Sequence, residues 1–551
     1  MPVPGTGKTT VIAELIWQHI RRDQNTRLLL TSETNLAVDN ALEKLMNEKA
    51  VNPDMARFLS LIKPLRFGKP LKFEEEGKRY SLERIEKWID DTADIEDDYE
   101  SEVLSEETAI PDEDEVVVVD VNDNIVQHWM RRIANRSKAG DPRYAEVLKD
   151  WTIGLVMPDK DTKIMFRNLY YEHVNVVGST CSSTGSPGFL LEYLRTFKGL
   201  QSEDFRAVKS ALYHWKNGSL NDRATIHLAE VFGCDDSLSL PDMQQAIKDA
   251  CTINFDTVIM DEASKATPPE LLMPLCFGRK SIVIGDHRQL PPMLNEKSFK
   301  EALMDLNSKK AEALVEEIDR DFVDTSQFKR MILNKQVSPT IKSTFNLQYR
   351  MHPAINDVIS QFYENDESGG LKCGLNPDMV DSPDLSNPES RYHGFLQKGF
   401  ISPDTHTIWV NVDAPEESEG TSKINIREII AINTILEKLS TAEGFKEYMD
   451  HWDTLKEEYK RNEEKEIGVI SFYGRQVSRI KKNVRPRARQ LGLRIKINTV
   501  DKFQGMERNI VIVSTVRSNK AVHGTGIEEN HKAGFADSPE RLNVALSSHS
   551  V

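Results

Sequence analysis

The stretch Gly5-Thr6-Gly7-Lys8-Thr9-Thr10 constrains the fold more than any other part of this sequence. Gly5 and Gly7 let backbone N–H groups curl around a phosphate chain. Lys8 would reach the β- and γ-phosphates, and the Thr9 hydroxyl would hold Mg²⁺. Thr6 and Thr10 complete the phosphate-binding set. The following Val11-Ile12-Ala13-Glu14-Leu15-Ile16 has helical character, so the phosphates would also meet a helix N-terminus. The alternative is a glycine-rich turn without chemistry, and the direct passage into an apolar helix argues against it. A loop of this kind follows a buried central strand of a doubly wound sheet, and the pattern G-x-x-x-x-G-K-[ST] has glycine where this chain has Pro2. The chain therefore reads as the core of a longer product, or as one begun at a misplaced start. An apolar slot and unpaired strand edges are expected where that strand is missing.

The strands that follow fit a parallel α/β sheet. Arg27-Leu28-Leu29-Leu30-Thr31-Ser32 is a short apolar strand, and the run from Thr34-Asn35 onward turns into a helix. Hydroxyl and amide groups at that strand tip could hold a nucleic-acid backbone, and N-capping of the next helix accounts for them equally well. The sheet resumes at Val174–Ser183. A later strand, Phe255–Met260, runs into Asp261-Glu262. Asp261 at the strand end is placed to hold Mg²⁺ through water, and Glu262 to polarise the attacking water. The bland alternative is a pair of solvent-facing loop acids. The next strand, Ser281–Ile284, leads to Gly285-Asp286-His287-Arg288-Gln289-Leu290, where the Gln289 amide can sense a γ-phosphate or its water. The second half has the same α/β character without a second phosphate loop. Such a half suits the other wall of a nucleotide cleft, one that supplies arginines to the γ-phosphate.

Length allows two to four domains at 551 residues. The net charge of −16 argues, taken alone, against nucleic acid. Its distribution is uneven: Asp90 to Asp120 is densely acidic, whereas Arg479-Ile480-Lys481-Lys482 and Arg485-Pro486-Arg487-Ala488-Arg489 are basic. Global charge therefore does not decide the partner. Two helical, charged stretches, about 50–173 and about 187–250, interrupt the sheet pattern of the first half. The acidic run inside the first is expected to be a solvated or disordered loop, the other reading being a regulatory nucleic-acid mimic. Five scattered cysteines without a C-x-x-C pair point away from zinc and toward a reducing compartment, as small buried apolar side chains. No apolar run approaches the ~20 residues that span a bilayer.

The ordered set of motifs resembles the Upf-like, senataxin-like superfamily 1B helicases, an AAA-type P-loop core. It comprises the phosphate loop, Thr34–Asp39, Ser179-Thr180-Cys181, Asp261–Ser264 and Gly285–Leu290 in the first half. In the second it comprises Gln348-Tyr349-Arg350-Met351-His352-Pro353, Asp501–Glu507 and Arg541–Leu546. The resemblance spans the chain but covers mostly strand tips, and both insertions are unmatched. It implies an α/β fold of two RecA-like parallel-sheet domains, residues 1–335 and 336–551, with the helical insertions in the first. ATP would lie between them and a single strand across their top, with 5′ to 3′ polarity. It implies that Lys8, Thr9, Asp261 and Glu262 do the phosphate, Mg²⁺ and water work. Gln289 and Arg350 would contact the γ-phosphate. Tyr349 would stack on the adenine, with Gly505 and Glu507 near the nucleotide, the latter at the ribose. Thr34, Asn35, Thr180 and Tyr473 would face the nucleic acid, although Tyr473 at a strand end also suits plain packing.

One departure bears on mechanism. Where the family continues with leucine, threonine, arginine and alanine, this chain has Leu546-Ser547-Ser548-His549. Ser548 thus takes the place of a second γ-phosphate arginine, whose loss typically lowers turnover by ~10³–10⁵. The leading expectation is an ATP-dependent translocase or helicase on single-stranded DNA or RNA, intracellular, in cytoplasm or nucleus. Protein partners are a further expectation for the insertions. A degenerate module that binds nucleotide and strand with little turnover is the alternative, and a P-loop ATPase acting on proteins a third.

Overall fold

The computed structural model describes residues 5–47, 59–73, 75–90, 123–138, 145–200, 204–216, 221–235, 237–292, 300–301, 304, 315, 325–366, 369–420, 422–451, 466–518 and 538–548. Most of the acidic run, Pro2 and His549–Val551 lie outside these. The described residues form two compact units. One gathers Thr9–Asp261 and Pro269–Val283, the other Met1–Lys8, Glu262–Pro268 and Ile284–Val551.

The first unit is built on a five-stranded parallel sheet. Its strands are β1 (Leu28–Ser32), β2 (Pro64–Arg66), β3 (Val176–Thr180), β4 (Phe255–Asp261) and β5 (Gly278–Val283), in the order β2-β3-β1-β4-β5. β1 and β3 are buried throughout, which is why they read as continuous apolar runs rather than alternating ones. Register aligns Ser32 with Thr180 on one side and with Asp261 on the other. The carboxyl ends of three strands therefore lie in one row, the edge where open α/β sheets bind ligands. β5 forms an edge of the sheet, and Arg279, Lys280 and Ser281 on it are exposed, a polar dressing that suits an edge strand.

The helix α1 (Lys8–Arg22) buries Ile12, Ile16, Trp17 and Ile20, a stripe at helical spacing, and ends in His19, Arg21 and Arg22. The helix α2 (Asn35–Met46) packs on β1 and β3. Gly178 of β3 makes this close approach possible, since a Cβ there would lie 3.0 Å from both Leu42 Cδ1 and Val38 Cγ1. α2 also carries Asp39, which pairs with Arg66 of β2 at 2.7 Å, both side chains 1% exposed. Arg66 further donates to Asn35 Oδ1 (2.8 Å) and to the Phe67 carbonyl (2.9 Å), and lies over the Phe73 ring. Removing one member of such a buried pair strands the other charge. Asp39→Ala is expected to cost about 3–5 kcal/mol, read as a lower urea midpoint, and Asp39→Ala with Arg66→Met to recover much of it.

Helices occupy much of both stretches where the sheet pattern breaks: Leu82–Asp90, Ile125–Lys138, Ala145–Val156 and Lys160–Glu172 in the first; Pro187–Lys198, Phe205–Lys216, Asp222–Val231 and Leu240–Ala250 in the second. The first stretch departs from the expectation in one respect: β2 falls inside it and pairs with β3 in the main sheet, a strand of three residues that is too short to show a period in sequence. The second set has a core of its own around Leu194, Val208, Leu228 and Ile247.

The second unit holds two small two-stranded pairs, β6 (Leu347–Gln348) with β7 (Lys372–Cys373) and β8 (Glu417–Glu419) with β9 (Ser422–Ile424). Its main sheet is parallel, β11-β10-β12, from β10 (Glu466–Ser471), β11 (Arg494–Thr499) and β12 (Ile510–Ser514). Ile467 and Val469 of β10 pack with Ile432 and Leu436 of the helix Ile426–Ser440 and with Ile480 and Val484 of the helix Gly474–Gln490.

The cysteines differ from the expectation of five buried side chains. Cys181 alone is buried, with its thiol pushed up to about 12 by that burial; Cys276 is exposed and the other three are half-buried. Chain position explains the spread: Cys181 directly follows the buried β3, whereas Cys276 follows the helix Pro268–Leu275. Among the described residues no helix is long and apolar enough to cross a membrane.

Candidate nucleotide site

Gly5 and Gly7 adopt φ of +75° and +79°, the left-handed conformations the motif requires of them. Gly5 is also sterically obliged, because a Cβ there would meet Arg350 Cβ at 2.6 Å, and its carbonyl accepts the Tyr349 N–H at 3.0 Å. Lys8 opens α1, and its ammonium donates to Glu262 Oε1 at 3.2 Å, the two side chains 13% and 14% exposed. Thr9 and Thr10 follow in the first turn of the same helix.

Asp261 is the last residue of β4 and is buried. Glu262, directly after it, has φ +52°. A side-chain-bearing residue enters that region at a cost, and persists there only where its surroundings hold it. Lys8 on Oε1 and Gln504 Nε2 on Oε2, at 3.2 Å, help to hold this one. Burial works to raise the Glu262 carboxyl, but the Lys8 ammonium, Lys265 and the Gln504 amide together outweigh it and hold the group below the usual carboxylate range. The same Gln504 Nε2 donates to Gln289 Oε1 at 3.3 Å. Lys8, Glu262, Gln289 and Gln504 thus form one connected polar group.

The loop before Gln289 is held by groups that sequence reasoning left without a role. Asp286 is buried, which pushes its carboxyl up; it accepts the Tyr363 hydroxyl at 2.7 Å and the Arg288 N–H at 3.0 Å. Asn543 Nδ2 donates to the Tyr363 oxygen (2.6 Å) and to the Arg288 carbonyl (2.9 Å). Asp366 accepts from Arg288 Nη2 at 2.6 Å and from His287 Nε2 at 3.3 Å. Tyr363 and Asp366 belong to no motif, and no local signal marks them: their partners lie 77 and 78 residues away. Asn543 and Gln504 could have been found, since both sit inside quoted motifs.

Arg350 pairs through Nη2 with Glu507, and its Nη1 donates to the Ser547 carbonyl at 3.3 Å. Its loop is braced by Gln348 Oε1, which accepts the Arg350 and Met351 N–H groups, and by Arg391, which donates to the Tyr349 and Arg350 carbonyls at 2.6 Å each. Tyr349 is half exposed and lies over Gly374, where a Cβ would come within 2.5 Å of its ring. Gly505, at φ +84°, turns the chain between Gln504 and Glu507. Ser548 is buried; its hydroxyl donates to the Val544 carbonyl at 2.7 Å and its own carbonyl accepts the Arg508 N–H at 3.0 Å.

The four residues expected to face nucleic acid are engaged locally. Thr34 caps α2 by accepting the Ala37 N–H (3.3 Å), and Asn35 accepts from Arg66. Thr180 caps the turn Cys181–Thr184, accepting the Ser183 N–H at 3.4 Å and donating to the Ser183 hydroxyl at 2.7 Å. Tyr473 is 6% exposed and packs with Leu290, Phe472 and Val500. Thr34, Asn35 and Thr180 follow or end β1 and β3, so they share the sheet edge at which β4 places Asp261.

Among the described residues, His352, Asp381 and His406 bring metal-ligand atoms within 4.8 Å. His352 Nδ1 accepts the Ala354 N–H, so its proton is on Nε2, donated to Asp381 Oδ1 at 3.1 Å. The two imidazoles stack 3.4 Å apart and 11° from parallel, so their in-plane lone pairs run side by side instead of converging. The two histidines are thus packed side by side, and His393 sets its ring against His406. Burial lowers all three histidines below their usual range, His406 to about 4. The unfolded chain therefore takes up protons near pH 6.5 that the folded one refuses. Stability from this cluster is fully present above pH 6.5 and is lost as pH falls toward about 4. Melting temperatures from pH 7.5 to 4.5 should fall more steeply for the native chain than for His406→Gln.

Two AAA-domain family models match the chain, one over residues 2–192 and 240–297, the other over 323–548. The chain is 24% identical to DNA polymerase alpha-associated DNA helicase A of Saccharomyces cerevisiae over 550 residues, 99% of this chain and 60% of that protein. It is 30% identical to DNA replication ATP-dependent helicase/nuclease dna2 of Schizosaccharomyces pombe over 298 residues, 53% of this chain and 18% of that protein. It is 29% identical to a regulator of nonsense transcripts 1 homolog of Neurospora crassa over 302 residues, 54% of this chain and 22% of that protein. The chain thus spans less than two thirds of the length of each of these relatives. The two models divide the motif set between them and cover both halves, and the chain belongs to the Upf-like superfamily 1 helicases.

Proposed function

We propose that this chain is the motor core of an ATP-dependent helicase or translocase acting on single-stranded DNA or RNA with 5′ to 3′ polarity. The observation that carries the reading is the Lys8–Glu262–Gln504–Gln289 group: a phosphate-loop lysine and a left-handed, well-anchored carboxylate within 3.2 Å of each other. The positive-φ glycines ahead of a helix N-terminus fit a polyphosphate. Thr9 and Asp261 would hold Mg²⁺, which when bound supplies positive charge to the β- and γ-phosphates. Glu262 is the base that takes the proton of the attacking water. Lys8 supplies the cation that the phosphates share with it. Gln289 is the neutral contact to the γ-phosphate, and Arg350 the arginine, drawn from its pairing with Glu507. Tyr349 offers its half-exposed ring to the adenine, with Gly505 and Glu507 near the nucleotide. Thr34, Asn35, Thr180 and Tyr473 remain the candidates for the strand. The two parallel sheets support two RecA-like domains, residues 1–335 and 336–551 in this reading, although the compact units place residues from Ile284 onward with the second sheet. An intracellular setting and protein partners for the helical insertions belong to the same reading.

The test is ATP turnover with and without single-stranded RNA and DNA. Turnover stimulated at least tenfold by a single strand is expected. Turnover indifferent to either strand would instead favour an ATPase acting on proteins, and its absence the degenerate module that Ser548 suggests. Duplexes with a single 5′ or 3′ tail then decide polarity.

A further inference from the structure

Gln504 carries the least explained geometry in the group just described. It caps the short helix Val500–Phe503, whose Val500 and Phe503 are buried, and the left-handed Gly505 follows it. Its backbone is therefore fixed, and the side chain sends one amide nitrogen to two acceptors, Glu262 Oε2 at 3.2 Å and Gln289 Oε1 at 3.3 Å. That nitrogen has two hydrogens, one for each. Among the described residues, Gln504 Oε1 is buried without a hydrogen-bond partner. A residue present only to fill space would avoid that cost by being leucine or methionine.

We propose that Gln504 is a positioning residue for hydrolysis: its amide locks Oε2 of Glu262 and the Gln289 carboxamide into one arrangement, so that base and γ-phosphate contact move together. Glu262 then has one fixed donor on each oxygen, Lys8 on Oε1 and Gln504 on Oε2. Without the Gln504 amide, the Glu262 carboxylate, on a backbone at φ +52°, loses the bond that orients Oε2 toward the water it must activate. The inference rests on the hydrolytic reading above.

The experiment is steady-state ATP turnover of the chain and of Gln504→Met, with a single strand present. Methionine keeps the volume and removes both donated hydrogens. The expected result is a kcat lowered about 10–100-fold, the loss of one hydrogen bond to a charged group, with KM for ATP within about twofold and an unchanged melting temperature. In a Glu262→Gln background the same substitution should change the rate less than about twofold, because partners acting as a unit are not additive. If Gln504→Met does not fold, Gln504→Asn, which withdraws the amide by one methylene, carries the same expectation. A kcat for Gln504→Met near that of the native chain, or an equal loss in both backgrounds, overturns the inference and leaves the helicase reading standing. A native chain without turnover removes the reading and the inference together.

Discussion

Lys8→Ala should abolish measurable ATP turnover while the chain stays folded. Lys8 is held directly against the Glu262 carboxylate, at 3.2 Å. Its removal takes away the charge that a phosphate loop places at the β- and γ-phosphates, an electrostatic contribution worth at least about 10²–10³ in rate. The lysine begins α1, so no buried stripe of that helix depends on it: Ile12, Ile16, Trp17 and Ile20 are untouched. Far-UV circular dichroism should therefore match the native chain. The urea midpoint should fall, because Glu262 loses the Lys8 ammonium while burial still disfavours its charge. Adding Glu262→Gln should restore that midpoint without restoring turnover, which separates the stability effect from the catalytic one. Turnover within about tenfold of native in Lys8→Ala would remove the phosphate-loop assignment.

Glu262→Gln should bind ATP and fail to hydrolyse it, with a rate loss of about 10²–10⁴, the range for losing a positioned general base. The amide can keep a hydrogen bond to Gln504 through its oxygen, and it has nearly the shape of the carboxylate, so the left-handed turn at residue 262 is retained. Nucleotide affinity should hold or tighten, since the substitution removes the anion that now competes for Lys8. Equilibrium binding of a fluorescent ATP analogue beside single-turnover hydrolysis reads both effects. Retained hydrolysis would unseat Glu262 as the base and direct attention to Asp286, a buried carboxyl that feels the Lys8 charge.

Much of the candidate site was legible in the chain because its chemistry is local. A glycine–lysine–threonine run, two acids after an apolar strand, and a glutamine four residues after Gly285 each announce themselves within a few positions. The parallel sheet was legible for the same reason: β1, β3 and β4 are buried runs, and burial on both faces erases alternation. Other features were not legible. Thr34, Asn35 and Thr180 have sequences equally suited to capping and to contacting a strand, and only the coordinates show each committed to a neighbouring backbone or to Arg66. Tyr473 looks like an available aromatic in sequence, yet it packs beside Leu290 and Val500. The Asp39–Arg66 pair joins residues 27 apart, and nothing in either neighbourhood marks the arginine as buried.

By itself, the sequence determined the class of chemistry and the strands that carry it, because phosphate binding and strand burial are written in contiguous residue types. Tertiary structure decided which side chains work together. Glu262, Gln289 and Gln504 are separated by up to 242 residues, and the network of Asp286, Tyr363 and Asn543 by more. Hydrogen bonds reach only about 3 Å, so such partnerships exist only once strands, turns and left-handed residues have brought distant segments together.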